Sequence, residues 1–113
     1  MKLWIDDCRP APEGYVWAKT VEDAKEYIVA RETLKGLRWY FSNGASEVLQ
    51  PFELIDIDHD AGDYASDGGD YIKLLDWLEE TGRNYPIRIH SMNVVGVANM
   101  RAIIQRNGWK EIK

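Results

Sequence analysis

The sequence predicts an open α/β fold, a mostly parallel sheet of about five short strands flanked by helices. Apolar runs at Leu3–Ile5, Phe52–Ile57 and Ile87–Ile89 each hand over to polar or ionisable residues. Helix-period segments separate these runs, and Gly, Pro, Asp and Ser mark the turns between them. Strands that alternate with helical patterns argue for parallel pairing through crossovers. In such a sheet ligands collect outside the carboxyl ends of the strands, so the ends of these three runs are expected to meet at one site.

Each element has its own signal. Leu3 to Ile5 is an apolar run without alternation, which suits a central strand, and Asp6 and Asp7 fall at its carboxyl end. Arg9 to Gly14 holds two prolines and a glycine, a stiff loop too short for a crossover helix. Tyr15–Ala18 reads as a second short strand. Thr20 with Asp23 three residues on is a variant capping box, and Val21, Ala24 and Ile28 give the stripe of the helix it opens, with Gly36 as its stop. Residues 37–51 read as an added hairpin or flap, because Leu37–Phe41 is strand-like and Ser42-Asn43-Gly44 is a turn signal.

After the strand that ends at Asp58, Asp67 is expected to cap a helix with Tyr71, Leu74, Leu75 and Leu78 buried and Gly82 at its end. Ile87 to His90 is the next strand. Val94 to Arg106 is expected to be a helix stopped by Gly108, and Trp109–Ile112 a last edge strand.

The chain has 113 residues, enough for one domain spanning 1–113 with one core. Its apolar fraction of 45% and charged fraction of 29% are those of an ordinary globular domain, not of a disordered chain. A net charge of −5 argues against an extended nucleic-acid-binding face. Cys8 is the single cysteine, and no signal peptide or membrane span is evident, so the cytoplasm is the expected compartment. Most of the five Trp are expected in or near the core.

The strand ends carry the candidate chemistry. Asp6, Asp7, Asp58 and Asp60 are hard oxygen donors that suit Mg²⁺, which takes one or two carboxylates and fills its other positions with water or phosphate oxygens. Turn acids also cap helices without any ligand, and the choice stays open at this point. Asp56 shares the strand parity of Asp58 one step deeper, and if buried it needs a partner. His59 and His90 are the only histidines. Set across a phosphate, one imidazole can remove a proton while the other protonates the leaving oxygen. Ser91 and Asn93 precede a helix and can either cap it or help seat a phosphate, and Arg9 can add a bidentate contact. Cys8 is expected to be a small buried residue.

Leu3-Trp-Ile-Asp6-Asp7-Cys-Arg9-Pro10, then Ile57-Asp58-His59-Asp60, then Ile89-His90-Ser91-Met-Asn93, resemble the cyclic-phosphate processing receiver domains, a diverged branch of the response-regulator receivers. The resemblance implies a flavodoxin-like, doubly wound sheet, with residues 35–51 as an insertion. It matches Asp6 and Asp7 to the receiver's acidic metal pair, Asp58 to its phosphorylated aspartate and Ser91 to its strand-end hydroxyl. No lysine near the last strand matches the receiver's, and histidines are added after Asp58 and before Ser91. Three functional expectations follow. The first is a phosphoesterase that opens a cyclic phosphate on an RNA end or a cyclic nucleotide, with His59, His90 and Asp58 as the catalytic set. The second is a binding module that sequesters such a ligand, and the third is a signalling receiver phosphorylated on Asp58.

Overall fold

In the computed structural model, which describes residues 1–113, five strands form one parallel sheet and three helices alternate with them. The strands are β1 (Lys2–Ile5), β2 (Tyr15–Ala18), β5 (Ile55–Ile57), β6 (Ile87–Ile89) and β7 (Glu111–Ile112), and their order across the sheet is β2-β1-β5-β6-β7. The helices are α1 (Val21–Thr33), α2 (Ile72–Glu80) and α3 (Val94–Asn107). Between α1 and β5 a separate antiparallel hairpin is inserted, β3 (Arg38–Tyr40) with β4 (Ser46–Val48). This is the strand order of flavodoxin-like sheets, whose ligand crevice opens where the chain reverses direction. Here that point lies between β1 and β5.

Local chemistry explains the element boundaries. Thr20 Oγ1 accepts the Asp23 backbone N–H at 2.9 Å and starts α1. Asn93 Oδ1 accepts the Gly96 N–H at 2.8 Å and starts α3, which closes on Gly108 in the left-handed conformation. The expected cap at Asp67 is not made. A 3₁₀ turn at Gly62–Ser66 takes up this part of the chain, Asp67 closes it, and α2 begins at Ile72 after Tyr71. Gly68 and Gly69, both at positive φ, absorb the change of direction between them.

All three helices lie on one face of the sheet. Leu3, Ile5, Ile55, Ile57 and Ile87 project to it and share one cluster with Val21, Ala24 and Ile28 of α1, the three leucines of α2, and Met100, Ile103 and Ile104 of α3. Crossovers between parallel strands are right-handed, so those running one way across a sheet lie on one face and those running back lie on the other. The connections into β5, β6 and β7 all run one way and carry the helices. Only β1 to β2 runs back, and its connection is the proline-bearing loop. The second face therefore has a loop where a helix would stand, and Trp4 is covered there by that loop, its indole N–H donating to the Arg9 carbonyl at 2.8 Å. The tryptophans divide accordingly: Trp4 and Trp109 are buried, while Trp39 on the hairpin is 53% exposed.

Candidate functional site

Strand alternation sorts the candidate residues onto the two faces. Trp4, Asp56 and Arg88 stand side by side in the register of β1, β5 and β6, and they share the helix-free face. Two residues further on, Asp6 and His90 keep that parity. The imidazole of His90 stacks on Trp4 with ring centroids 3.9 Å apart and planes inclined by 5°. Its Nδ1 lies 2.6 Å from Asp56 Oδ1 and its Nε2 lies 2.9 Å from Asp6 Oδ2. Both carboxylates are fully buried. Two carboxylate acceptors on one ring are satisfied when each ring nitrogen carries hydrogen.

The clamp continues outward at both ends. Arg88 Nη1 donates to Asp56 Oδ2 at 3.1 Å, and Arg9 Nε lies 3.6 Å from Asp6 Oδ2. Asp6 Oδ1 accepts backbone N–H groups from Cys8 at 3.0 Å and Arg9 at 2.8 Å, so the turn after β1 is built on this side chain. Burial works to raise the Asp6 pKa, but the two backbone N–H groups and His90 outweigh it and hold the carboxyl below its ordinary range. Asp56, flagged by its parity, thus has the partners a buried carboxylate requires.

His59 occupies the other side. Its parity is that of Ile55 and Ile57, and its ring lies against the first turn of α3. A Cβ on Gly96 would fall 2.5 Å from His59 Cγ and Cδ2. Only glycine leaves room for the ring there. His59 Nδ1 is 2.8 Å from Asp60 Oδ1, and Asn93 Nδ2 donates to the same oxygen at 3.2 Å. The hydrogen bond from His59 leads the influences that lower the Asp60 pKa, against a smaller penalty from burial. With Nδ1 given to Asp60, His59 keeps Nε2 free of protein partners.

The two histidines therefore do not form a facing pair. Each has its own carboxylates and its own side of the sheet, and His90 has no ring nitrogen to spare. The expected two-imidazole arrangement is corrected to one ring with an open nitrogen, His59, and one clamped ring, His90. The reason is parity: Asp58-His59 and Ile89-His90 look alike in sequence, but His59 follows Ile57 by two residues and His90 follows Arg88 by two.

The four acids also separate. Asp6 is committed to the clamp and Asp60 to His59 and Asn93, and the oxygens able to share an ion group Asp6 with Asp7 and Cys8, and Asp60 with His59 and Asp70. The 3₁₀ turn closes directly on Asp7, since a Cβ on Gly62 would lie 2.5 Å from Asp7 Oδ2. Asp58 spends Oδ1 on the His59 N–H at 2.7 Å and keeps Oδ2. The phenol of Tyr71, which donates to the Lys19 carbonyl at 2.7 Å, is pushed up first by burial and then by the charges of Asp7, Asp6 and Asp58. Asp7, within reach of Asp6 and Cys8, and Asp58, with one oxygen unengaged, retain capacity for a hard cation such as Mg²⁺, whereas Asp6 and Asp60 are engaged with other side chains.

Ser91 Oγ accepts the Asn93 N–H at 3.2 Å, and Asn93 both caps α3 and holds Asp60, so its amide is not free for a phosphate. Arg9 remains half-exposed. Cys8, expected to be buried, is exposed, and Asp7 leads the causes that raise its thiol pKa. Two features escaped the sequence reading. Lys19 follows β2 beside Asp6, its ammonium standing 4.5 Å from the centroid of the Trp17 ring and 5.9 Å from that of Tyr64, with no carboxylate partner. Met92, Val94 and Val95 are 89%, 82% and 71% exposed and form an apolar lip beside His59 and Ser91. A cation at the end of β2 has a signal in sequence only once β2 is known to neighbour β1.

No helix is long and apolar enough to cross a membrane. Comparison with known families finds that a model described as the cyclic-phosphate processing receiver domain matches residues 1–106. No curated protein and no solved structure matches the chain.

Proposed function

The chain belongs to the cyclic-phosphate processing receiver family, and from that premise we propose that its strand-end site opens a cyclic phosphate on an RNA end or a small nucleotide. One observation carries the reading: His59 is the histidine with a free ring nitrogen at the strand ends, and Asp60 holds its other nitrogen at 2.8 Å. An imidazole oriented by a carboxylate is the arrangement of a general base that takes a proton from water and returns it to the leaving oxygen. Lys19, Arg9 and Ser91 would receive the phosphate oxygens, and Asp7 and Asp58 would hold Mg²⁺ where one is used. A bound Mg²⁺ would offset phosphate charge. His90 acts from behind, bonding Asp6 and Asp56 and so helping to fix the turn that carries Arg9.

The test is turnover of 2′,3′-cyclic nucleotides and of RNA ending in a cyclic phosphate. His59→Ala is expected to lose roughly a hundredfold or more in rate. Turnover that survives this change refutes the assignment, and tight binding with ligand recovered intact identifies a sequestering module instead. A second reading has its own support in Asp58 Oδ2, which has no protein partner: a receiver phosphorylated on Asp58. Incubation with acetyl phosphate and Mg²⁺ should then add one phosphoryl mass, absent in Asp58→Asn.

A further inference from the structure

A groove of about 330 Å³ lies away from the strand ends, between the second half of α1, the outer edge of β2 and the inner face of the hairpin. Register places Trp39 opposite Glu47 on that inner face. Glu47 ties the hairpin to α1 through Arg31 Nη2, which donates to its Oε1 at 2.7 Å. The hairpin does not close, however. Trp39, Phe41 and Tyr27 all line the groove and remain 53%, 43% and 39% exposed. Aromatic rings face a space that this chain does not fill.

We propose that this groove binds a nucleobase that carries an exocyclic amino group. Its volume, at the lower end of the ligand-pocket range, suits one ring system with its sugar. Its three aromatic side chains supply the flat, sequence-tolerant contact on which bases stack. Its polar content is one ion pair, with Arg31 buried and its charge offset by Glu47. An anionic ligand finds no free cation there, and a quaternary ammonium, which aromatic rings otherwise attract, meets the Arg31 guanidinium across the same pocket. What remains on offer is Glu47 Oε2, an acceptor without a protein donor, and an amino N–H of a neutral base complements it. This inference goes beyond the strand-end chemistry and does not depend on it, since it concerns binding at a different place in the fold.

The experiment is a titration of the ¹⁵N-labelled chain with adenosine, purine riboside and choline, following the indole N–H of Trp39 and sedimentation in parallel. Adenosine is expected to shift Trp39 and its neighbours saturably, and purine riboside, which lacks only the amino group, to bind clearly more weakly. Trp39→Ala should weaken adenosine about tenfold or more by loss of stacking. Tyr27→Ala, at an exposed helix position that leaves the core intact, should weaken it in the same direction. No shift at Trp39 up to the solubility limit overturns the proposal. So does equal binding of the two nucleosides, preference for choline, or a dimer that buries Trp39 without ligand.

Discussion

Gly96→Ala tests the geometry of His59 without touching any group that could react. The new methyl would sit 2.5 Å from two ring carbons of His59 and 2.8 Å from Nδ1. Restoring an ordinary contact requires the ring to retreat by roughly 1 Å, because repulsion rises steeply inside van der Waals distance. Gly96 is helical, so alanine gains about 1 kcal/mol of helix propensity, while overpacking costs about 1–3 kcal/mol. Net stability should therefore fall by no more than about 2 kcal/mol. Orientation should suffer more. The Nδ1 to Asp60 contact, 2.8 Å at present, has little room before it leaves hydrogen-bond range. A catalytic group displaced by that much typically costs on the order of a hundredfold in rate. Chemical denaturation, the His59 ring resonances and cyclic-phosphate turnover read these three effects separately. Unmoved His59 resonances refute the packing argument, and moved resonances with full turnover refute the role given to His59.

Asp56→Ala should destabilise the fold by about 3–5 kcal/mol in urea, because it strips His90 Nδ1 and Arg88 of a buried acceptor; a loss below about 1 kcal/mol would show that the clamp relaxes freely. Thr20→Ala removes the acceptor for the Asp23 N–H and should cost about 1 kcal/mol, measured by the same transition. Glu79 is held down to about 2, from an ordinary value of 4.5, first by the Arg106 guanidinium and then by the Asn107 amide. A depressed carboxyl contributes stability that is present above its unfolded pKa and is lost as pH falls toward the folded one. Arg106→Ala should accordingly flatten part of the acid limb between pH 4.5 and about 2, and an unchanged limb would remove this pair from the account.

Strand-end chemistry was legible in the sequence because it depends on where apolar runs stop. Asp6, Asp7, Asp58, His59, His90 and Ser91 all stand within two residues of the ends the structure gives. The caps at Thr20 and Asn93 were legible for the same reason, since each acts over three residues. Pairing across the sheet was not. His90 meets Asp6 and Asp56, which are 84 and 34 positions away. Only the register of β1, β5 and β6 brings the three together. The 3₁₀ turn before α2 was missed because Asp67 looks like a cap in isolation, while the positive φ of Gly68 and Gly69 lets the chain turn once more.

The loop between β1 and β2 explains why the acids divide as they do. A sheet face that carries a helix buries aliphatic side chains. This face carries a short loop instead, and Trp4 with the stacked imidazole of His90 forms the flat layer beneath it. A ring placed so deep must have both nitrogens satisfied, and the carboxylates of matching parity within its reach are Asp56 on the adjacent β5 and Asp6 at the end of β1 beyond it. Meeting that demand draws Asp6 inward and fixes both of its oxygens, one on His90 and one on the turn that follows β1. Asp7, of opposite parity, takes no part in the clamp and lies against the 3₁₀ turn at Gly62.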